Sequence, residues 1–248
     1  VGINKDTKQV ILKNKDVIDY DQLIISTGAS FTYFGNDNWA TYSNGLKNIN
    51  DALDIRDGIL KAFEKAENET NKDIQKKYLN FVVIGGGPTG VELAGSIAEI
   101  AFKNISKEYR NFNSTDSNVY LVEAGNNILP AYSTKLSNKA SNYLEKLGVT
   151  IKTNEKVENI VEMTVTTDKG KILSDNIIWA AGNKASSLIE HLNTDMDTEG
   201  RAIINSDCSI KEDENIFVIG DAANFKNVNG VSLPGIAPVA IQQGRYVG

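Results

Sequence analysis

The stretch Phe81-Val82-Val83-Ile84-Gly85-Gly86-Gly87-Pro88-Thr89-Gly90 constrains this chain more than any other. Four consecutive apolar residues suit a strand buried on both faces, as in the centre of a parallel sheet. The glycine-rich turn is followed by a helical pattern with Val91, Ala94, Ala98, Ala101, Phe102 and Ile105 on one face. Pro88 falls in the first turn of that helix, where a missing N–H costs least. In this arrangement Gly85 permits the tight turn, Gly87 leaves room for a pyrophosphate to approach the backbone, and Gly90 lets helix pack on strand. The helix start adds unpaired N–H groups and a positive dipole end. Gly85, Gly86, Gly87, Pro88, Thr89 and Gly90 are therefore expected to bind a dinucleotide. A tight strand–helix turn without a ligand is the competing reading.

The next strand, Asn118–Glu123, ends in an acid. Glu123 lies 33 positions after Gly90, beyond the usual interval of about 20 residues. A long helix and the polar loop Asn111–Ser117 fit the excess. Glu123 is expected to accept hydrogen bonds from the adenosine ribose and to repel the extra phosphate of NADPH. The following Ala124, Gly125, Asn126 and Asn127 offer no cation, so NADH is the expected nucleotide. Glu92 reads onto the first turn of the same helix. There it either stabilises the helix dipole or handles a proton or substrate beside the nicotinamide.

Around this unit the chain alternates strands and helices. Val10-Ile11-Leu12 reads as a short strand before a turn at Asn14–Asp16, and Tyr20–Gly28 as a buried strand ending in a glycine turn. Residues 30–49 read as a loop. Asn50 or Asp51 can cap a helix carrying Leu53, Ile59, Leu60 and Phe63, which dissolves into the charged stretch Glu67–Lys77, a candidate boundary. Ser133 or Thr134 can cap a helix carrying Leu136, Ala140, Leu144 and Leu147, stopped by Gly148. Val149–Asp168 alternates like antiparallel strands, with Val157, Ile160, Val161 and Val165 as its apolar positions. Asn176–Gly182 and Asn215–Asp221 are buried strands, and a helical pattern runs from Gly235. Thr27-Gly28-Ala29 and Gly220-Asp221 mark two further strand ends. An acid after glycine there suits a ribityl hydroxyl or a water-bridged phosphate of a second dinucleotide, or else merely caps a turn.

Composition removes several function classes. The formal charge of −6 argues against nucleic acid as a partner, since phosphate binding needs a basic face. Cys208 and His191 are the only residues of their kinds, so neither a disulfide framework nor a metal site is expected. No apolar run reaches ~18 residues, so no membrane span is read, and no signal peptide is visible. The chain opens at Val1 in strand-like sequence and stops at Gly248 within a helical pattern, which reads as a piece cut at both ends.

Taken in order, Ser26-Thr27-Gly28-Ala29, Gly85–Ala94, Ala180-Ala181-Gly182 and Ile219-Gly220-Asp221-Ala222 resemble the FAD-dependent pyridine nucleotide-disulfide oxidoreductases over essentially the whole chain. The resemblance implies an α/β fold with two Rossmann-like domains, the NAD domain inserted into a discontinuous FAD domain. It divides the chain into an FAD-domain part at 1–50, a connecting helix and linker at 51–77, an NAD domain at 78–184 and a second FAD-domain part at 185–248. The family's first FAD βαβ unit belongs upstream of Val1. Leu233–Gly244 is most similar to the helix start of the type II NADH:quinone oxidoreductases, with Pro238 where that pattern often has Gln. The implied function is hydride transfer from NADH to FAD and of electrons onward to a quinone, without proton pumping. The implied cofactor contacts are Thr27, Gly28, Ala29, Ala181, Gly182, Gly220, Asp221 and Ala237 beside the Gly85–Gly90 loop and Glu123. Glu92 and Gln242 are implied at the reacting end. The resemblance also implies a peripheral protein on the cytoplasmic face of a membrane, anchored by a segment beyond Gly248, with a homodimer among its expected partners. A related reductase with a disulfide or protein acceptor is the first alternative. A non-catalytic NAD-binding redox sensor is the second.

Overall fold

The computed structural model describes residues 1–104 and 109–248; Ile105, expected on a helix face, lies outside the described residues. The chain begins with strands β1 (Gly2–Asn4), β2 (Gln9–Ile11), β3 (Val17–Asp19), β4 (Leu23–Ile25), β5 (Ala29–Phe31) and β6 (Asn44–Gly45). Helices α1 (Ile49–Asn68) and α2 (Lys72–Leu79) follow, then β7 (Asn80–Ile84), α3 (Pro88–Glu99), β8 (Asn118–Val122), α4 (Thr134–Lys146) and β9 (Val149–Lys152). Strands β10 (Val157–Val161), β11 (Thr164–Thr167), β12 (Gly170–Leu173), β13 (Asn176–Trp179) and β14 (Asn183–Ala185) come next. The chain continues through β15 (Ala202–Ile203), β16 (Ser209–Ile210), β17 (Asp213–Val218), β18 (Ala223–Asn224) and α5 (Ala237–Val247). The contacts divide it into two compact units, Phe31–Gly182 and the joined pieces Val1–Ser30 and Asn183–Gly248.

Phe31–Gly182 is built on a five-stranded sheet of order β6-β13-β7-β8-β9, every pair parallel. All of β7 is buried, as a central parallel strand requires. Its side chains alternate: Phe81 and Val83 join the α1–α3 core with Phe63, Ala94, Ile97 and Leu121. Val82 and Ile84 join the opposite core with Val122, Trp179 and the antiparallel ribbon β10-β11-β12 through Ile160, Val165 and Ile172. The helix face expected from sequence is buried at Ala94 and Ala98 of α3 and at Ala101 in the π-helical turn Ile100–Asn104 that follows it.

Several local expectations need correction. The α1 cap is Asn48, not Asn50 or Asp51. The Asn48 side-chain oxygen accepts the Asn50 and Asp51 N–H groups at 2.8 and 3.1 Å, and the Asp51 carboxylate accepts the Asn48 N–H at 3.0 Å. This capping box leaves the core stripe at Ile55, Ile59, Ala62, Phe63 and Ala66, so Leu53 and Leu60 are exposed. The stretch Glu67–Lys77 is no linker: α1 runs to Asn68, and Asn71 caps α2 by accepting the Asp73 and Ile74 N–H groups. Residues 30–49 are not a plain loop, because Tyr33 and Trp39 are buried around Trp179, at ring distances of 5.1 and 5.5 Å. Val149–Lys152 is a parallel edge strand, and the antiparallel ribbon that follows it runs from 157 to 173. Within it Val161 is exposed. So is Leu136, in the first turn of α4, whose start at Ser133 has no side-chain cap. Gly148 ends α4 in a left-handed conformation, φ +96°.

The second unit has a three-stranded sheet of order β16-β17-β4, in which β17 runs parallel to β4. A short parallel pair, β15 and β18, and the antiparallel meander β1-β2-β3 belong to the same unit. Its core gathers Ile3, Ile25, Ile189, Leu192, Cys208, Ile210, Ile216 and Val218. The sequence-based edges at 50, 77 and 184 differ from the contact-based ones at 30 and 182. Strand β6 pairs with β13 and the α1 stripe fills the β7–β8 core, so both belong with Phe31–Gly182.

Candidate functional site

In Phe31–Gly182 three strand ends meet. Ile84 stands opposite both Val122 and Trp179 in parallel register. The loop Gly85–Gly90, Glu123 and Ala180–Gly182 therefore leave the sheet at one edge, the carboxyl ends of its strands, where ligands of such sheets bind. Gly85 has φ +111°, and a Cβ there would lie 2.8 Å from the Ala180 carbonyl and the Ala181 nitrogen. A Cβ on Gly90 would overlap the Gly85 carbonyl oxygen. These two glycines are demanded by the fold itself. Gly87 is different: it is the N-cap of α3, has φ −72°, and a Cβ there would meet nothing within 4 Å. The open space lies at the amino end of a twelve-residue helix, whose unpaired N–H groups suit a pyrophosphate. The residues present fit a bound dinucleotide.

Glu123 is joined to the loop directly. Its Oε2 accepts the Gly86 N–H at 2.6 Å and its Oε1 the Gly125 N–H at 2.6 Å. The Gly86 carbonyl in turn accepts the Leu129 N–H at 2.7 Å. The carboxylate is thus fixed beside the glycine turn with lone pairs left for ribose hydroxyls. Across the sheet Lys152, opposite Val122 in register, accepts the Glu123 N–H at 2.8 Å through its backbone carbonyl. Its ammonium is paired with the buried Glu155 at 3.2 Å, and Glu155 also accepts the Thr167 hydroxyl at 2.8 Å. Glu92 is exposed and sits in the second turn of α3, because the helix begins at Pro88; its first turn holds no acid. The dipole-stabilising reading of Glu92 is therefore withdrawn. Gly182, at φ +69°, accepts the Thr32 N–H at 2.8 Å through its carbonyl.

In the other unit Ile25 faces Val218, and the Ile219 N–H donates to the Ile25 carbonyl at 3.0 Å. Thr27-Gly28-Ala29 and Gly220-Asp221 consequently emerge together. Gly28 and Gly220 are both left-handed, φ +66° and +69°. A Cβ on Gly28 would meet nothing within 4 Å, a second open backbone position. Ala237 opens α5, and Gln242 is exposed one turn further, its Nε2 donating to the Pro238 carbonyl at 3.1 Å. Gln242 borders a cavity of about 300 Å³ with Cys208, Phe225, Leu233, Val239 and Tyr246. Burial, with help from Asp207, pushes the Cys208 thiol above its usual range, so it is a packing residue and a poor nucleophile. Sequence reasoning missed Gln243. It is buried, and its Oε1 accepts the Gly220 N–H at 2.8 Å. Its place before Gly244 gave no signal distinct from that of Gln242.

Among the described residues no group of acids, His and Cys could hold a metal, and no helix is long and apolar enough to cross a membrane. Fold and strand-end loops together define a Rossmann-like dinucleotide-binding protein of the α/β class. A family model of pyridine nucleotide-disulphide oxidoreductases matches residues 1–244, and the chain belongs to that family. It is 40% identical over 237 residues to a type II NADH:quinone oxidoreductase of Mycobacterium tuberculosis, covering 92% of this chain and 50% of the relative. A type II NADH:quinone oxidoreductase of Haemophilus influenzae is 30% identical over 241 residues, covering 92% and 54%. Among solved structures, NDH2 of Plasmodium falciparum in complex with NADH superposes with TM-score 0.77 at 25% identity, covering 88% of this chain and 47% of that one. The chain spans about half the length of the curated relatives it matches.

Proposed function

We propose that the full-length protein is a flavin-dependent NADH:quinone oxidoreductase, non-pumping, with NADH held by Phe31–Gly182 and FAD by the other unit. The observation that carries the reading is the open Gly87 cradle at the α3 amino end, closed on one side by Glu123. Gly85, Gly86, Gly87, Pro88, Thr89 and Gly90 would receive the nucleotide pyrophosphate, and Glu123 its ribose; Ala181 and Gly182 line the same edge. The carboxylate repels a ribose phosphate, which favours NADH over NADPH. Thr27, Gly28, Ala29, Gly220, Asp221 and Ala237 would hold FAD, which supplies the two-electron redox chemistry when bound. We assign Glu92 to the NADH side and Gln242 to the acceptor side of the reaction. Because a respiratory quinone is lipid-soluble, the reading also places the protein at a membrane surface, peripherally.

The test is the full-length protein, purified and assayed with NADH, NADPH and an added quinone. Stoichiometric flavin and NADH oxidation that depends on quinone, with NADPH the poorer donor, are expected. A flavoprotein whose NADH oxidation needs a disulfide or protein acceptor instead of quinone would sink the quinone assignment. NADH binding without any flavin would point to a redox sensor.

A further inference from the structure

Gln242 and Gln243 are neighbours on α5 but serve different surfaces. Gln242 is exposed and bonds only back to its own helix. Gln243 is 8% exposed, and its amide oxygen reaches out of the helix to the Gly220 N–H. That N–H has no place in the sheet. The β17–β4 pairing ends at Val218, the Ile219 N–H makes the last bond to Ile25, and Gly220 then turns left-handed. The turn is packed tightly from two sides. A Cβ on Gly220 would lie 3.5 Å from the Ala240 methyl, and one on Gly235 would lie 3.1 Å from the Asp221 Oδ1. Gly220 and Asp221 are therefore held by one side-chain hydrogen bond from α5 and by close backbone packing.

We propose that Gln243 is a positioning residue for the flavin: by accepting the Gly220 N–H it fixes the Gly220–Asp221 turn, and so the Asp221 carboxylate, for FAD. This rests on the reading of Val1–Ser30 and Asn183–Gly248 as the FAD side. Gln243 touches no ligand in this scheme and acts through the backbone of residue 220. Without its acceptor the Gly220 N–H loses its partner, and the turn is free to relax away from α5.

The experiment uses the full-length protein stripped of flavin and titrated with FAD, read by flavin fluorescence and visible absorption, with thermal unfolding alongside. Gln243→Leu keeps the volume and removes the acceptor; Gln243→Glu keeps an acceptor. Gln75→Leu is the control, because Gln75 is an equally buried amide whose Nε2 donates to the Ala66 carbonyl at 2.7 Å in the other unit. Gln243→Leu is expected to weaken FAD about tenfold, with Gln243→Glu within about threefold of wild type. Gln75→Leu is expected to lower the melting temperature and leave FAD affinity unchanged. If Gln243→Leu does not fold, Gln243→Asn, too short to reach Gly220, takes its place with the same expectation. Unchanged FAD affinity in the leucine or asparagine variant overturns the proposal. So does equal loss in Gln243→Glu, or a matching loss in Gln75→Leu. A wild-type protein that takes up no FAD overturns the parent reading as well, and is told apart by that result alone.

Discussion

At the scale of single residues, the glycine loop separates two demands that look alike in sequence. Gly90 is required by the protein, since a methyl there would overlap the Gly85 carbonyl; at Gly87 a Cβ would meet nothing within 4 Å, so the fold itself does not demand that glycine. Gly90→Ala is therefore expected to destabilise the fold by about 1–3 kcal/mol through overpacking. Gly87→Ala is expected to change stability by no more than about 0.5 kcal/mol and still to weaken NADH binding markedly. Urea unfolding and a nucleotide titration on both variants would check this. Equal stability loss in the two would show that Gly87 is structural after all. Glu123 shows why residue-level reading falls short. Its type and strand-end position were legible, but its bonds to Gly86 and Gly125 depend on the register of β7, β8 and β9. So does the bond from its N–H to the Lys152 carbonyl, 29 positions on in the chain.

At the scale of elements, legibility followed the strength of the local pattern. The strands β7, β8, β13 and β17 were plain because unbroken apolar runs bounded by glycine or acid admit few other readings. The start of α1 was misplaced by two or three residues because Asn48, Asn50 and Asp51 are all cap formers, and only tertiary geometry selects among them. Helix α2 was hidden by its charge: five of its eight residues are polar or charged, and Gln75 is buried through a hydrogen bond that no periodicity reveals. Asn48→Ala is expected to cost about 0.5–2 kcal/mol, the usual value of an N-cap. Asn50→Ala is expected to cost less, because its side chain does not cap. Denaturant midpoints of the two variants would decide it. A larger loss at Asn50 would contradict the cap observed here. On the candidate site, sequence located both glycine turns and both acids. It missed Gln243, whose role exists only because α5 packs against a turn twenty-three positions earlier.

At the scale of the whole molecule, one ion pair gives a pH signature. Asp197 is partly buried, which opposes its ionisation, but the Arg201 backbone N–H, side chain and charge, with the Glu199 N–H, outweigh this. Its carboxyl sits below the ordinary range, held by Arg201 Nε at 2.7 Å and by the Asn224 amide at 2.8 Å. A carboxyl depressed in the folded state stabilises it at pH values above the unfolded pKa, about 3.9. That contribution is lost as pH falls through the lower, folded value. Asp197→Asn is expected to be less stable than wild type near neutrality, with the gap closing as pH falls below about 4. Urea unfolding across that range would test it, and a gap that widened in acid would refute the account. The Asn224 amide bond to Asp197 joins the turn at Asp197–Arg201 to β18, both in the second half of a unit whose first half is Val1–Ser30.

That split has a consequence for how the molecule is made. Strand β4 pairs in parallel with β17, and between them the chain must pass through the whole of Phe31–Gly182. During synthesis β4 therefore emerges before the strand it pairs with, and its edge waits while the inserted unit is made. The inserted unit has its own delay, since β6 can pair only when β13 has followed it out. The order of emergence therefore lets Phe31–Gly182 close before β17 arrives, and leaves the edge of β4 in need of protection from a neighbour until then.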